Sequence, residues 1–460
     1  MKNQNSSNNH VLADDRVGRL LVSLSMPAMI GMFVTALYNV VDTIFVGRGV
    51  GPMAIAGITI VFPIQMVVMA VAMMIGIGGA SVISRALGAG DFEKANTTFG
   101  NVLLSIVIFS ATLSFLGNLF IDQLLALFGA SKTILPYARD YARIILLGTV
   151  FFSFAMSSNN VIRAEGRAKV AMTTMLISAI LNIILDPIFI FGFKWGIKGA
   201  AAATVISQMV TVVYLIYYFL SGKSSLTLHL RNLRLKKVIM REVAAIGSPS
   251  LLRQLSTSVL VIVVNNTLRV FGGDFSIALF GIMHRMLMFV NMPLFGIAQG
   301  MQPIVGFNYG ARRFDKAKRA LSLSIKASTV ISFAGLCLLF AFPGAIISIF
   351  TNNPELIRMG IPAVRIFIVA LPVFGFVTVG STLFQAIGKA KQALFLTVSR
   401  QLVLIILVLI LPRLFDLTGV WMTFPITDVL IFLATLWLYI PQMREFDRHI
   451  KAPQGVNDEK

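Results

Sequence analysis

Long apolar stretches alternate with short polar loops along this chain. A helix needs about 20 apolar residues to cross roughly 30 Å of hydrocarbon. Windows of at least that length occur at residues 20–47, 53–82, 97–120, 137–158, 168–193, 199–221, 243–271, 276–305, 318–350, 360–386, 391–413 and 418–441. The pattern therefore predicts an all-α membrane protein with twelve transmembrane helices.

Composition supports a membrane protein and excludes a water-soluble one. Of 460 residues, 57% are hydrophobic and 13% charged, against roughly 25% charged in an ordinary soluble domain. The net charge of +20 is not a sign of nucleic-acid binding in such a chain, because basic residues mark cytoplasmic loops. Lysine and arginine are concentrated in the loops that follow even-numbered spans, which predicts both termini in the cytoplasm of a multi-pass cell-membrane protein.

The chain matches itself at a constant offset of 222 residues. Pro27 aligns with Pro249, Gly78 with Gly300, and the segment RAEGRAKVA at 163–171 with QAIGKAKQA at 385–393. Each copy holds six spans, an even number, so both copies enter the membrane from the same side and form parallel repeats. The predicted domains are an N-terminal six-helix bundle (1–221), a basic cytoplasmic linker (222–242), a C-terminal six-helix bundle (243–441) and a cytoplasmic tail (442–460).

Two acidic residues lie deep within spans of the first copy, and we find none in the second. Asp42 is in the first span and Asp186 in the fifth. Tyr38 and Asn182 each precede one of them by four residues, which places each pair on one helix face. Thr204 in the sixth span has a comparable depth. A carboxylate at mid-bilayer costs about 2.5–3.5 kcal/mol on insertion scales and so indicates function.

These residues fit either of two coupling ions. Adjacent carboxylates can share a proton, and Asp42, Asn182, Asp186 and Thr204 also offer oxygen ligands for Na⁺. Structural alternatives remain open: Asp42 as an interfacial residue near a helix end, and Asp186 as a cap before Pro187. The positions that match the two acids at the 222-residue offset are apolar, Val264 and Val408.

Polar residues elsewhere in the spans are candidates for the substrate cleft between the two bundles. They are Asn159, Asn160, Gln254, Asn265, His284 and Gln299. His284 next to Arg285 also fits a purely structural role. Pro27 lies inside the first span, where proline weakens a helix, and is a candidate hinge.

Motifs for other kinds of function are missing from the sequence. There is no GxxxxGK[ST] motif for nucleotide phosphates, no HExxH or GxSxG, and no metal-ligand spacing among four histidines and one cysteine. We therefore expect a transporter rather than an enzyme, with no cofactor and with an ion gradient as its energy source.

The chain resembles the multidrug and toxic-compound extrusion (MATE) family along nearly its whole length. The resemblance rests on LYNVVDTIFVGRGVGPMAIAG, ISRALGAGDFEKA, VIRAEGRAKVAM and LNIILDPIFIFGFKWGIKGAAAAT, and on the second copies FNYGARRFDKAKRA and FQAIGKAKQAL. It is most similar to the prokaryotic DinF-like branch, in which Asp42, Asp186 and Pro27 match family positions. It departs from the NorM-like branch, whose second half also carries carboxylates.

The resemblance implies a V-shaped pair of bundles that exports cationic or amphipathic drugs by H⁺ or Na⁺ antiport and alternating access. The expected partners are small molecules and the lipid bilayer, and the expected state is a monomer. The nearest alternative is a flippase of related architecture for lipid-linked precursors or polysaccharides. A membrane-embedded enzyme or receptor is a further alternative without a supporting motif.

Overall fold

The computed structural model describes residues 11–451 and shows helices and no strands within that range. The first ten residues of the predicted N-terminal bundle, and residues 452–460 of the predicted tail, lie outside the described residues. The helices of the first copy are α1 Val17–Gly49, α2 Pro52–Gly88, α3 Phe92–Leu119, α4 Ile121–Leu127, α5 Leu135–Ala164, α6 Ala168–Pro187 and α7 Ile197–Leu220. Those of the second copy are α8 Lys237–Gly310, α9 Phe314–Ala341, α10 Pro343–Ser348, α11 Pro354–Ile368, α12 Leu371–Ala386 and α13 Ala390–Lys451.

Two of these helices are each a pair of spans. The continuous run of α8 breaks at Gly273, and that of α13 breaks at Phe415 and Asp416. Nine helices of the described range are long and apolar enough to cross a membrane, and α11 with α12, bent by 45°, supplies a tenth. Because α8 and α13 each count twice, the predicted twelve-helix membrane fold is confirmed.

The duplication is visible in the backbone as well as in the sequence. Residues with positive φ, a conformation that side chains with a Cβ rarely adopt, recur at the 222-residue offset. The pairs are Gly51 and Gly273, Gly90 and Arg312, Gly166 and Gly388, and Lys194 and Asp416. The second helix of the first copy ends at Gly88 and its counterpart at Gly310. The two copies therefore share turn geometry even where their residue types differ.

Two compact units divide the chain by its internal contacts. One contains Ser23–Leu255, and the other contains Met1–Val22 together with Ser256–Lys460. The first unit includes the N-terminal part of α8, which packs directly on α2. A Cβ at Gly78 would collide with the carbonyl oxygen of Val243, and one at Gly247 with that of Met74. Glycine at both positions lets the two backbones touch.

The linker after α7 is fixed to the first unit by buried polar side chains. Asn101 on α3 donates to the carbonyl of Arg234 at 3.1 Å and accepts from the amide of Lys236 at 2.6 Å. Glu165, which follows α5, accepts from the Ser224 hydroxyl at 2.7 Å and the Ser225 amide at 2.6 Å. The linker is therefore packed structure rather than a free tether.

Candidate functional site

The C-terminal end of α6 is irregular, and the irregular turn begins directly after Asp186. Pro187 ends α6, and Ile188–Gly192 continues as a π-type turn with wider hydrogen bonding. Such turns are rare and are frequently found at functional sites. The last turn of α1 packs closely here, because a Cβ at Gly49 would collide with Ile190. This contact helps to hold α1 beside α6.

Asp42 on α1 and Asp186 on α6 are brought together in the first unit, close enough to interact directly. Asp186 is completely buried and Asn182 is 1% exposed. The Asn182 Nδ2 atom lies 3.3 Å from Asp186 Oδ1 and also 3.3 Å from the Thr204 hydroxyl of α7. Three helices thus contribute to one polar cluster inside an otherwise apolar bundle.

The cluster has more acceptor oxygens than donors. Asp42 Oδ1, Asp186 Oδ2 and Asn182 Oδ1 are all buried and have no hydrogen-bond partner in the described structure. A buried polar atom without a partner is costly and calls for an explanation. All three are acceptors, so the cluster can take up a further hydrogen-bond donor or a cation.

Two tyrosines and a glutamine complete the surroundings. Tyr38 on α1, which shares a helix face with Asp42, faces both acids. Tyr141 on α5 also faces them, is 5% exposed, and is bonded to Gln65 of α2. Tyr141 and Gln65 were not predicted as site residues. No spacing along a single helix relates them to the acids, and only the packing of α2 and α5 against α1 does so.

The asparagines at the end of the fourth span bond to other partners. Asn159 accepts a 2.6 Å hydrogen bond from Thr174, and Asn160 accepts one of 2.8 Å from the Arg163 guanidinium. Gly76 makes room for Asn160, because a Cβ there would lie 2.8 Å from its Nδ2. A substrate-cleft role for both asparagines stays a prediction.

The other predicted cleft residues are distributed over the two units. Gln254 belongs to the first unit and donates to the Met66 sulfur at 2.9 Å. Asn265, His284 and Gln299 belong to the second unit. His284 is exposed, with its ring 6.3 Å from that of Phe280. Their roles, and that of Pro27 inside α1, remain predictions.

The expectation that the second copy has no acid deep in a span is wrong. Asp428 lies within the last span and pairs with Arg400, with 3.0 Å between Nη2 and Oδ1. The acid is tolerated for a different reason from Asp42 and Asp186. An arginine of its own bundle neutralises it, so the pair has no net charge. The sequence signal was available, since Arg400 and Asp428 both interrupt apolar windows.

Comparison with known proteins agrees with this architecture. The family model described as MatE matches residues 27–188 and again residues 249–411. The two matches begin at Pro27 and Pro249, the pair already aligned by the internal duplication. The matched ranges cover more than half of the chain and include Asp42 and Asp186.

Individual relatives cover almost the whole length. The multidrug export protein MepA of Staphylococcus haemolyticus (strain JCSC1435) is 28% identical over 93% of this chain and 94% of its own. The solved MATE multidrug transporter DinF-BH is 47% identical, with a TM-score of 0.86 over 94% of this chain and 97% of that one. A MOP superfamily transporter from Pyrococcus furiosus is 30% identical, with a TM-score of 0.88 over 98% and 100%. A duplicated twelve-helix fold, a family match in each copy and these full-length relatives lead to one conclusion: the chain belongs to the MATE family of multidrug efflux transporters.

Proposed function

We propose that this transporter is an antiporter in which inward movement of H⁺ or Na⁺ through the Asp42–Asp186 cluster drives export of cationic or amphipathic compounds. The observation that carries the proposal is the set of three buried acceptor oxygens without donors. Two neighbouring carboxylates away from water need a proton or a cation between them. That need supplies the binding energy for a coupling ion.

Both ions fit the chemistry of the cluster. A proton on either carboxyl would supply the missing donor and remove one negative charge. Na⁺ would instead be coordinated by oxygens of Asp42, Asn182, Asp186 and Thr204, which are hard ligands suited to a hard cation. In both cases the ion neutralises charge that a cationic substrate would otherwise neutralise. Ion and substrate therefore compete, which is the requirement for exchange.

The names of the relatives support the substrate class. MepA is a multidrug export protein, and DinF-BH is a multidrug transporter. An acidic cluster in an apolar bundle matches compounds that combine a positive charge with aromatic rings. The distribution of basic loops supports cytoplasmic termini, and we propose a monomer as the working unit.

The test is transport in proteoliposomes with pH and Na⁺ gradients imposed separately. We expect the wild type to concentrate ethidium when one of the two gradients is present. Asp42→Asn keeps the size of the side chain but removes its charge, and should abolish concentration of the dye while leaving the amount of folded protein unchanged. Asn39→Ala, at an exposed position of the same helix, is the matched control and should transport normally. An Asp42→Asn variant that still concentrates ethidium against its gradient would refute the coupling site.

A further inference from the structure

The Arg400–Asp428 pair stands apart from the other ion pairs of the described residues. Those join side chains in loops or near helix ends, such as Lys389 and Glu445 at 2.6 Å. Arg400 is ten residues into α13, and Asp428 is a similar distance beyond the break in that helix. At 1.5 Å per residue, both lie about 15 Å along their spans, near the middle of the bilayer.

Both members of the pair are partly accessible. The side chain of Arg400 is 27% exposed and that of Asp428 is 14% exposed. Ionisable side chains at this depth almost always face the interior of the bundle or a water-filled cavity rather than lipid. The exposed parts of the pair are therefore reachable from an aqueous or substrate-bearing space.

The geometry leaves part of the carboxylate unused. The Arg400 Nε and Nη2 atoms lie 3.3 and 3.0 Å from the same oxygen, Oδ1 of Asp428. A side-on pair would engage both oxygens. The Oδ2 atom of Asp428 takes no part in this ion pair, so the carboxylate keeps capacity for a second positively charged donor.

An aromatic residue lies near each member of the pair. The Arg400 guanidinium lies over the ring of Phe374 on α12, 5.3 Å from its centroid. Phe432 is one turn after Asp428, on the same face of the helix. Its ring packs edge-on against Phe376, with 5.2 Å between centroids. A carboxylate beside such rings is suited to a cation attached to an aromatic body.

We propose that Asp428, with Phe374 and Phe432, forms a second substrate site that binds the cationic group of an aromatic amphipathic compound, and that Arg400 is the internal cation which the substrate displaces. This deepens the proposed function and rests on its cationic substrate class. The empty site is neutral, so it is tolerated within the membrane. Return of Arg400 to Asp428 then favours release of the substrate.

Neutralising Asp428 and neutralising Arg400 should change the affinity for an aromatic cation in opposite directions. The probes are ethidium, an aromatic cation, and Nile red, a neutral aromatic dye, titrated by fluorescence against the purified full-length protein at pH 8. Asp428→Asn should raise the Kd of ethidium about tenfold, because a counter-ion is lost. Arg400→Gln should lower it by about three- to tenfold, because the competing cation is removed. The Kd of Nile red should change less than about twofold in both, since the dye has no charge to pair.

Two further variants control for folding. Lys389→Gln breaks a comparable ion pair at a helix end and should leave both dyes unaffected. The double variant Arg400→Gln with Asp428→Asn contains no unpaired charge, so it should fold and bind ethidium as weakly as Asp428→Asn alone.

A structural brace would behave differently and would overturn the proposal. In that case both single variants would weaken ethidium and Nile red alike, and the double variant would restore wild-type binding of both. Failure of the wild type to bind ethidium would instead refute the cationic substrate class of the proposed function. The results for the two hypotheses are therefore distinguishable.

Discussion

The two copies of the repeat share a backbone but differ in how they carry charge. At the matched positions, the acids of the first copy correspond to valines in the second, and the ion pair of the second copy corresponds to uncharged residues in the first. The pairs are Asp42 with Val264, Asp186 with Val408, Arg400 with Ser178, and Asp428 with Ile206. Positive-φ turns, by contrast, are kept at equivalent positions in both copies.

The difference shows that a bundle can hold acids within a membrane in two ways. The first copy has two neighbouring carboxylates without a base, so we expect it to take its positive charge from outside. The second copy has one carboxylate with its own arginine and is neutral by itself. Buried acids that lack a basic partner are candidates for binding an ion, whereas an acid that has one is already neutralised. Ion coupling is therefore expected in the first copy.

The largest expected effect on transport comes from replacing an acid of the first copy with the valine found at the matching position of the second. Asp186→Val removes a completely buried carboxylate, so the folded protein should be at least as stable as the wild type. Gradient-driven efflux of ethidium should fall by about a hundredfold or more, because the shared ion site loses one of its two charges. Transport in proteoliposomes and thermal unfolding measure the two effects separately. Loss of folded protein together with transport would contradict this interpretation.

The reverse substitution tests the second copy. Val408 is completely buried within a cluster of apolar side chains that includes Val264, Leu404 and Trp421. Val408→Asp places a carboxyl there without a partner and should destabilise the fold by more than about 3 kcal/mol. We expect a sharp fall in monodisperse protein after extraction, and Val408→Thr should be much milder. A stable Val408→Asp protein would show that the second copy has latent room for an ion.

A smaller, pH-dependent effect is expected at Glu165, whose counterpart in the second copy is the buried Ile387. Burial raises the pKa of Glu165 from 4.5 to about 7, against the opposing effect of hydrogen bonds from Ser224 and Ser225. Because the folded-state pKa is raised, protonation of Glu165 adds to the free energy of unfolding, and this contribution is fully present below about pH 4.5. The contribution is lost as pH rises through about 7, and its full size is at most about 3 kcal/mol.

Glu165→Gln should remove this pH dependence. Its Tm should exceed that of the wild type at pH 8, and the difference should shrink as the pH is lowered toward 5. Glu93→Gln, at an exposed position in the first turn of α3, is the control and should follow the wild type at every pH. A wild-type Tm that does not fall between pH 5 and 8 relative to Glu165→Gln would contradict the assignment.

Much of the architecture is determined by the sequence alone. Apolar windows have only one stable way to cross a bilayer, because every backbone N–H and C=O must be bonded within the segment. The number of spans and the duplication therefore follow directly from the chain. The pairing of Tyr38 with Asp42 and of Asn182 with Asp186 follows in the same way, because residues four apart share a helix face.

Which distant side chains meet was decided by contacts between helices and with the linker. Tyr141 and Gln65 join the acidic cluster, and Glu165 is buried by the linker, through packing that no local spacing encodes. The Arg400–Asp428 pair joins two arms of α13 on opposite sides of a break. The physical reason is that hydropathy fixes the depth of a residue in the membrane. Which side chains meet at that depth depends on the rotation and neighbours of each helix, and these are set only when the bundle packs.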